Sequence, residues 1–332
     1  MILCLLFETP NNVDFIIVGP EAPLASGIVN IFRNEGLSVF GPTREAAQIE
    51  TSKTFARGLM KKYGIPAPEY YVVNSYQEGI AWLDSHGAPV VVKADGLAAG
   101  KGVTVCNSVD QALKNTKEIL EGKFKSSNKV ILEEFLQGEE LSYFIVVDEN
   151  SYQFFGSAQD HKRVGEGDTG PNTGGMGAYS PSPLLTAQLD EKIKKKIIEP
   201  TLKTMKNLKH PYKGFLYAGL MICKGEPYLI EYNVRMGDPE CQVLMMRLET
   251  DLLEIIDNTN KNKLDNLKIT WKKESCITIV LSAKGYPFDY IKNSEIKNLS
   301  NILTDKNNQI FHAGTYEKNN KIYSNGGRVL NI

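Results

Sequence analysis

The segment VVVKADGLAAGKGVTV, residues 90–105, contains the clearest structural pattern in the chain. An apolar run reaches Lys93, a glycine-rich stretch follows, and a second apolar run begins at Val103, which is the pattern of two strands joined by a loop. Glycines let backbone N–H groups converge on phosphate oxygens, and neighbouring lysines supply positive charge. The segment therefore predicts a phosphate-binding loop between strands. Its candidate nucleotide contacts are Lys93, Gly96, Gly100, Lys101 and Gly102.

This segment has two other interpretations. A Walker loop is disfavoured because Gly96 to Gly100 is one residue too short, Gly102 replaces the required Ser or Thr, and a strand pattern follows instead of a helix. A glycine-rich hairpin turn without a ligand stays open on this segment alone, because glycine often marks turns.

Composition narrows the classes of function. The 332 residues carry 38 basic and 39 acidic side chains, so no strong overall field attracts nucleic acid or an anionic membrane. The five cysteines are scattered and have no C-x-x-C spacing, which argues against disulfides and a zinc site. We expect a cytoplasmic monomer that binds small anionic substrates in pockets.

The chain divides into three zones and has α/β and α+β character. Residues 1–42 read as the remnant of an N-terminal βαβ domain, with one helix continuing to Asn34 between two strands. Residues 43–260 are mixed α and β, and residues 261–332 form a small mixed C-terminal domain. The first zone is too small to be stable as an independent sheet.

The segment YLIEYNVR, residues 228–235, combines a core pattern with a chemical pattern. Strand alternation sends Glu231, Asn233 and Arg235 to one face and the apolar residues to the other. Two oxygen ligands at this spacing suit Mg²⁺ held jointly with nucleotide phosphates, and Arg235 can stabilise a transferring phosphoryl group. The alternative is an exposed sheet face with a Glu231–Arg235 ion pair.

Two further segments join strands in ways that suit ligands. An acidic connector within residues 130–143 offers Glu134 and Leu136 to an adenine edge and Glu140 to ribose hydroxyls, although such turns are often only solvated. Residues 159–178 carry six glycines among Asp160, Lys162, Arg163 and Asn172. We interpret this long stretch as an active-site loop, with a disordered linker as the alternative.

The segment EYNVRMGDPECQ, residues 231–242, resembles the R-x-G-D-P-E-x-Q signature of glycinamide ribonucleotide synthetases. Similar blocks occur in the family's order at residues 19–24, 93–103, 159–163, 170–179, 214–219 and 311–315. The resemblance implies a central ATP-grasp fold at 43–260, with a small lid subdomain at about 66–137.

The resemblance also implies roles for individual residues. Lys53 and Lys93 would contact the ATP phosphates, and Glu231 and Asn233 would bind Mg²⁺, with Mn²⁺ as a second choice. Arg235 and Lys93 would be catalytic. The residues implied to bind glycine or glycyl phosphate are Asp160, Lys162, Arg163, Pro171, Asn172, Thr173 and Gly174, and those near phosphoribosylamine are Gly19, Pro20 and Glu21.

The implied reaction is ATP-dependent ligation of glycine to 5-phosphoribosylamine through glycyl phosphate, giving glycinamide ribonucleotide, ADP and phosphate. Two alternatives are another ATP-grasp carboxylate–amine ligase and a truncated module that binds ATP and Mg²⁺ with impaired activity. We expect both ends of the chain to be cut, since family members usually begin earlier with a glycine-rich turn. Weak binding of phosphoribosylamine would follow from the loss of that turn.

Overall fold

The computed structural model describes residues 13–96, 102–124, 129–167, 169–302 and 307–332. In the N-terminal part, strands β1 (Ile16–Ile17) and β2 (Val39–Phe40) pair in parallel. The connection contains two helices, α1 (Glu21–Ala25) and α2 (Ile28–Asn34), so the expectation of one continuous helix was wrong. Gly27 separates them in a left-handed conformation at φ +81°, which glycine adopts at little steric cost.

Two helices lead from this part into the sheets, α3 (Gln48–Thr51) and α4 (Lys53–Tyr63). The Ser52 side chain caps α4 by accepting a hydrogen bond from the Phe55 N–H, and Gly64 ends it in a left-handed conformation. Glu50 and Lys53 thus lie on either side of a sharp break between the helices.

A small antiparallel sheet has the strand order β3-β6-β4-β5 and is covered on one face by two helices. Its elements are β3 (Tyr70–Val73), α5 (Tyr76–His86), β4 (Val90–Ala94), β5 (Val103–Cys106), α6 (Val109–Leu120) and β6 (Val130–Glu134). Val90, Val92 and Ala94 pack against the helices. Because side chains alternate along a strand, Lys93 lies on the opposite face.

A large antiparallel sheet of eight strands forms the body of the molecule, in the order β13-β12-β7-β8-β11-β14-β19-β16. Its strands are β7 (Glu139–Val147), β8 (Tyr152–Asp160), β11 (Gly177–Ser180), β12 (Gly214–Cys223), β13 (Glu226–Asn233), β14 (Cys276–Ser282), β16 (Phe311–His312) and β19 (Arg328–Asn331). The hairpin β9 (Arg163–Gly165) with β10 (Thr169–Asn172) stands apart from it, as does the sheet of β15 (Glu295–Ile296), β17 (Thr315–Lys318) and β18 (Lys321–Ser324).

Helices cover both faces of the large sheet around β7, whereas one face of β14 is open, with Ile277, Ile279 and Leu281 exposed. The covering helices, besides α4, are α7 (Ala187–Ile193), continued by a π-helical turn at Lys194–Ile198, α8 (Glu199–Asn207), α9 (Glu240–Arg247) and α10 (Leu252–Asn260). Tyr143 and Ile145 of β7 belong to the core under α4 and α7, whereas Phe144 and Val146 belong to the core under α9 and α10. Strand β7 is therefore buried on both sides.

The predicted strand at residues 228–235 is longer than the observed one, because β13 ends at Asn233. The chain bends at residues 234 and 235, and the Val234 N–H donates to Glu50 instead of to a neighbouring strand. Arg235 consequently lies in a turn, and its position depends on side-chain contacts.

Candidate active site

Three lysines converge on the strand that carries the candidate metal ligands. Lys93 of β4 lies 2.6 Å from a Glu133 carboxylate oxygen and donates to the Ile230 carbonyl at 3.2 Å. Lys53, at the start of α4, donates to the Gly96 carbonyl at 2.8 Å. Lys162 lies 2.6 Å from Glu140 and 3.7 Å from Glu231. The structure thus brings lysines from three separate segments to one side of β13.

Glu133 is buried between two cations. Its carboxylate accepts from the Arg57 guanidinium at 2.5 and 2.8 Å and also pairs with Lys93. Burial alone would raise the pKa of Glu133, but Lys93 and Arg57 outweigh it and lower that pKa. Lys93 thus shares Glu133 with Arg57, and its ammonium group could also donate to an anion such as a nucleotide phosphate.

Glu231 and Asn233 offer two oxygen ligands from the same face of β13. Room for Glu231 comes from Gly219 on β12, where a Cβ atom would lie only 2.9 Å from the Glu231 Cγ atom. Burial would raise the pKa of Glu231, but Lys162, Lys93 and Lys53 outweigh it, so that the pKa is lowered and the carboxylate stays ionised.

This pair fits Mg²⁺ as a shared site. Among the described residues, no group of three or more His, Cys, Asp or Glu side chains is arranged to hold a metal. A carboxylate and an amide oxygen are nevertheless the hard donors that Mg²⁺ uses, and it commonly completes its octahedron with phosphate oxygens and water. The donor set therefore matches a metal that arrives with a nucleotide.

All three guanidinium nitrogens of Arg235 are engaged. Nε contacts Glu21 at 3.1 Å, and Nη1 donates to the Met236 carbonyl at 3.0 Å. Nη2 contacts both Glu50, at 3.2 Å, and the Asn233 side-chain oxygen, at 3.3 Å. Burial would lower the pKa of Arg235, but Glu50 and Glu21 raise it, so the cation is held beside the candidate metal ligands.

The proposed adenine hinge lies where β6 passes into β7. Glu134 is exposed, and its N–H donates to the Glu69 carbonyl at 2.9 Å, so that donor is already used. Leu136 is half-buried in the connector. Glu140 lies at the Lys162 side of the site.

The predicted phosphate-binding loop is described only at its ends. Gly100 and Lys101 fall outside the described residues, and Gly102 accepts a backbone hydrogen bond from Ala94.

The predicted active-site loop is an ordered hairpin rather than an irregular segment in its described part. Thr173 is buried, and both its N–H and its hydroxyl donate to the Lys162 carbonyl at 2.7 Å. Asp160 has a buried carboxylate oxygen without a hydrogen-bond partner among the described residues, and burial raises its pKa to about 7. This loop therefore places an unsatisfied acceptor next to the cationic centre.

A cavity of about 1150 Å³ lies beside this hairpin, away from Lys93 and Glu231. Arg163, Pro171 and Asn172 line one side of it, and Thr104 and Lys123 of the small-sheet region line the other. Arg163, Pro171 and Asn172, which were predicted to bind substrate, therefore face a different space from that of Lys162.

The three residues predicted to lie near phosphoribosylamine differ in their contacts. Gly19 and Pro20 are exposed, and of the three only Glu21 contacts the centre.

Sequence reasoning missed four residues of this site: Glu50, Arg57, Glu133 and Arg328. The spacing of Lys53 and Arg57, i and i+4 on one helix, was a usable signal because such residues share a face. Glu133 stands on the same face of the small sheet as Lys93. Glu50 and Arg328 gave no local signal, since their partners are distant in the chain.

Comparison with known proteins places these features in a family. The ATP-grasp (A) domain of phosphoribosylglycinamide synthetase matches residues 51–241, the N domain of the same family matches 4–50, and the C domain matches 276–332. The chain belongs to the phosphoribosylglycinamide synthetase family. This family assignment confirms the resemblance seen in the sequence and identifies an ATP-dependent ligase.

Individual proteins similar to this chain carry the name of the same enzyme family. Phosphoribosylamine–glycine ligases from Brucella melitensis and Rhizobium meliloti are each 47% identical over 98% of this chain and 77% of their own length. The crystal structure of phosphoribosylamine–glycine ligase from Thermotoga maritima superimposes with a TM-score of 0.82 at 34% identity, covering 96% of this chain and 77% of that one. The predicted mixed α/β architecture with an ATP-grasp centre is confirmed.

A more distant structure shares only the fold. The biotin carboxylase domain of Hydrogenobacter thermophilus 2-oxoglutarate carboxylase, solved with MgADP, ADP and bicarbonate, gives a TM-score of 0.73 at 15% identity over 98% of this chain and 71% of that one. Within the described ranges, no helix is both long and apolar enough to cross a membrane.

Proposed function

We propose that this chain ligates glycine to 5-phosphoribosylamine, with ATP converted to ADP and phosphate. The observation that carries the proposal is the convergence of Lys53, Lys93, Lys162 and Arg235 around the oxygen pair of Glu231 and Asn233. The names of the relatives supply the substrates, and the geometry supplies a centre suited to phosphoryl transfer.

In the first step a glycine carboxylate oxygen attacks the γ-phosphorus of ATP. The new O–P bond gives glycyl phosphate, and the bond to the β-phosphate oxygen breaks to release ADP. Lys93 and Lys53 hold phosphate oxygens by direct charge. Arg235 faces the same region and stabilises the negative charge of the transferring group.

In the second step the amine of phosphoribosylamine attacks the carbonyl carbon of glycyl phosphate. A C–N bond forms, the C–O bond to phosphate breaks, and the amine proton leaves to solvent. Holding the two reactants together contributes about 7 to 11 kcal/mol by proximity. No protein nucleophile is needed.

Glu231 and Asn233 would hold Mg²⁺, with Mn²⁺ as a substitute, together with the nucleotide phosphates. When bound, this metal neutralises charge on the phosphate oxygens. Every other contact in the proposed reaction is made by side chains and backbone groups of the chain.

The substrate positions follow the family resemblance, and contacts with this centre support those of Lys162 and Glu21. Asp160 and Lys162 would bind glycine, with Thr173 and Gly174 beside Lys162, and Arg163, Pro171 and Asn172 would border the neighbouring cavity. Adenine would lie against Glu134 and Leu136. Gly19, Pro20 and Glu21 would approach phosphoribosylamine, with Glu21 nearest to Arg235.

We also propose that the protein acts as a cytoplasmic monomer, with functional units at 1–42, 43–260 and 261–332 and a lid at about 66–137. The absence of C-x-x-C spacing and the balanced charge support the location. Sedimentation at micromolar concentration tests the monomer, since a dimer would sediment at twice the mass.

Release of ADP, measured with each substrate left out in turn, tests the proposed function. We expect sustained release, beyond one ADP per protein molecule, only when ATP, a divalent metal, glycine and phosphoribosylamine generated in the assay are all present. Full turnover with another carboxylate or amine in place of either substrate would identify a different ligase. Binding of ATP without turnover under any combination would identify a nucleotide-binding module instead.

A further inference from the structure

Arg235 lies beyond the end of β13, so the position of its side chain depends on contacts with other parts of the chain. β13 ends two residues earlier, so no ladder hydrogen bond fixes the backbone at this position. An arginine side chain has many rotamers, and holding it in one of them requires several partners. The observed contacts come from Glu21, Glu50, Asn233 and the Met236 carbonyl.

Glu50 differs from the other partners because it holds both the backbone and the guanidinium. Its Oε2 atom accepts from the Val234 N–H at 2.6 Å, while its Oε1 atom lies 3.2 Å from Arg235 Nη2. It comes from α3, a separate element of the fold. One carboxylate thus fixes the turn just after β13 and the side chain that the turn carries.

Burial distinguishes Glu50 from Glu21. The Glu50 side chain is 7% exposed and that of Glu21 is 32% exposed, so water competes less for the Glu50 contact. A buried carboxylate that lost Arg235 would be left with an uncompensated charge. The Glu50 contact is therefore the stronger constraint on the orientation of the guanidinium.

Arg235 Nη2 also connects Glu50 to the candidate metal ligand. The same nitrogen lies 3.2 Å from Glu50 Oε1 and 3.3 Å from Asn233 Oδ1. A shift of the guanidinium would therefore release the Asn233 amide, whose oxygen must face the phosphates to serve as a ligand. Both groups depend on one buried carboxylate.

We propose that Glu50 is a positioning residue that orients Arg235, and through it Asn233, for phosphoryl transfer. The proposal rests on the proposed function, because it assigns Glu50 to the same centre. Glu50 contacts no reacting atom, so its effect must pass through Arg235.

A double-mutant cycle tests that dependence. E50Q keeps an acceptor for the Val234 N–H but removes the charge that faces Arg235. We expect kcat to fall about 10-fold to 100-fold, with the KM for ATP changed by less than about twofold. In an R235M background the same change should lower kcat by less than about threefold, because the group that Glu50 orients is already gone. E45Q, at a glutamate that pairs with Asn30 and Arg44, is the matched control and should retain full activity.

Equal losses from E50Q in the two backgrounds would overturn the proposal, as would a loss confined to the KM for ATP. A readout that needs no turnover separates this proposal from the proposed function. The chain has only seven arginines, so its Nε–H resonances can be resolved and that of Arg235 assigned with R235K. We expect the Arg235 resonance to broaden or exchange faster in E50Q but not in E45Q. An unchanged resonance in E50Q would refute the positioning role even in a chain without ligase activity.

Discussion

Glu231 combines an ionised carboxylate with a position beside three lysines, which makes it the residue on which the metal requirement should depend. Replacing Glu231 with Gln removes the negative charge while keeping nearly the same shape. The concentration of free Mg²⁺ needed for half-maximal ADP release should rise about tenfold or more, because hard cations prefer charged oxygen ligands. Titration of Mg²⁺ at saturating ATP measures this.

E226Q is the matched control for that experiment. Glu226 begins the same strand but pairs with Lys192 and Lys196, away from the centre. It should leave the Mg²⁺ requirement unchanged. An equal rise in both variants would mean that general charge, and not coordination, sets the requirement.

Glu50 should also make stability depend on pH. Burial raises its pKa to about 7, against the opposing effect of Arg235. The folded chain then binds more protons than the unfolded chain between about pH 4.5 and pH 7, so the Glu50 contribution is present below that window and is lost as the pH rises through 7. The loss is at most about 3 kcal/mol.

Urea unfolding of the wild type and E50Q from pH 5 to pH 8 checks this sign. The stability of the wild type relative to E50Q should decrease with rising pH and level off above about pH 8. A constant difference across the range would show that Glu50 is already ionised at pH 5 in the folded chain.

Single-residue chemistry was predictable where a local pattern revealed it. The alternation at residues 228–235 placed Glu231 and Asn233 together, and β13 keeps it from Glu231 to Asn233. A bulge at Ile230 interrupts it earlier, so Leu229 rather than Ile230 shares the core face with Tyr232. Glu50 and Glu133 were missed because a carboxylate buried by distant partners looks, in the sequence, like any other acidic residue. Their partners are brought near only by the packing of α3, α4 and β6 against β13.

At the level of secondary structure, Arg57 joins three elements. From α4 it pairs with Glu133 of β6 and donates to the Leu229 and Ile230 carbonyls of β13. The small sheet is thus fastened to the large one directly behind Lys93. A contact of this kind fixes the distance between the phosphate-binding lysine and the metal-binding strand.

Replacing Arg57 with Met should lower the free energy of unfolding by about 3 to 5 kcal/mol, because the Leu229 carbonyl loses its Arg57 donor, the Ile230 carbonyl keeps only Lys93, and Glu133 loses one of its two cations. Chemical denaturation measures this. R44M removes an exposed arginine whose partner is Glu45, and it should cost less than about 1 kcal/mol. A similar small cost for R57M would show that Lys93 alone satisfies Glu133.

Elements were predicted well where alternation was long and poorly where a single turn decided the outcome. Strand β5 begins at Val103 as predicted, whereas the helix after Gly19 is divided at Gly27 and the strand before Arg235 is shorter than expected. In both cases the local pattern continued while the backbone changed direction, which periodicity alone does not reveal.

At the scale of the whole molecule, the C-terminal strands complete the sheet that begins in the central part. β14 pairs with β11, and β19 pairs with β14. Arg328 on β19 reaches back to the loop, donating to the Gly174 carbonyl at 2.8 Å and pairing with Asp238 at 2.8 Å. The far end of the chain thereby supports the loop that follows the hairpin.

R328M should raise the KM for glycine about tenfold and leave the affinity for ATP unchanged, because it loosens the loop at residues 173–175 but leaves Lys53 and Lys93 in place. Steady-state kinetics and calorimetry with ATP measure the two effects. K321M, which removes an exposed partner of Glu295, is the control and should change neither. A loss of ATP affinity in R328M would mean that the C-terminal strands support the whole centre.

The order of strands in the large sheet also has a consequence for synthesis on the ribosome. β7, β8, β11, β12 and β13 can all pair before β14 has been made, and β11 then has an open edge where β14 belongs. Unpaired strand edges recruit other chains, and slow or long-range pairing prolongs their exposure. The nascent chain is therefore most vulnerable to aggregation after Ser180 has emerged and before residues 276–282 follow it.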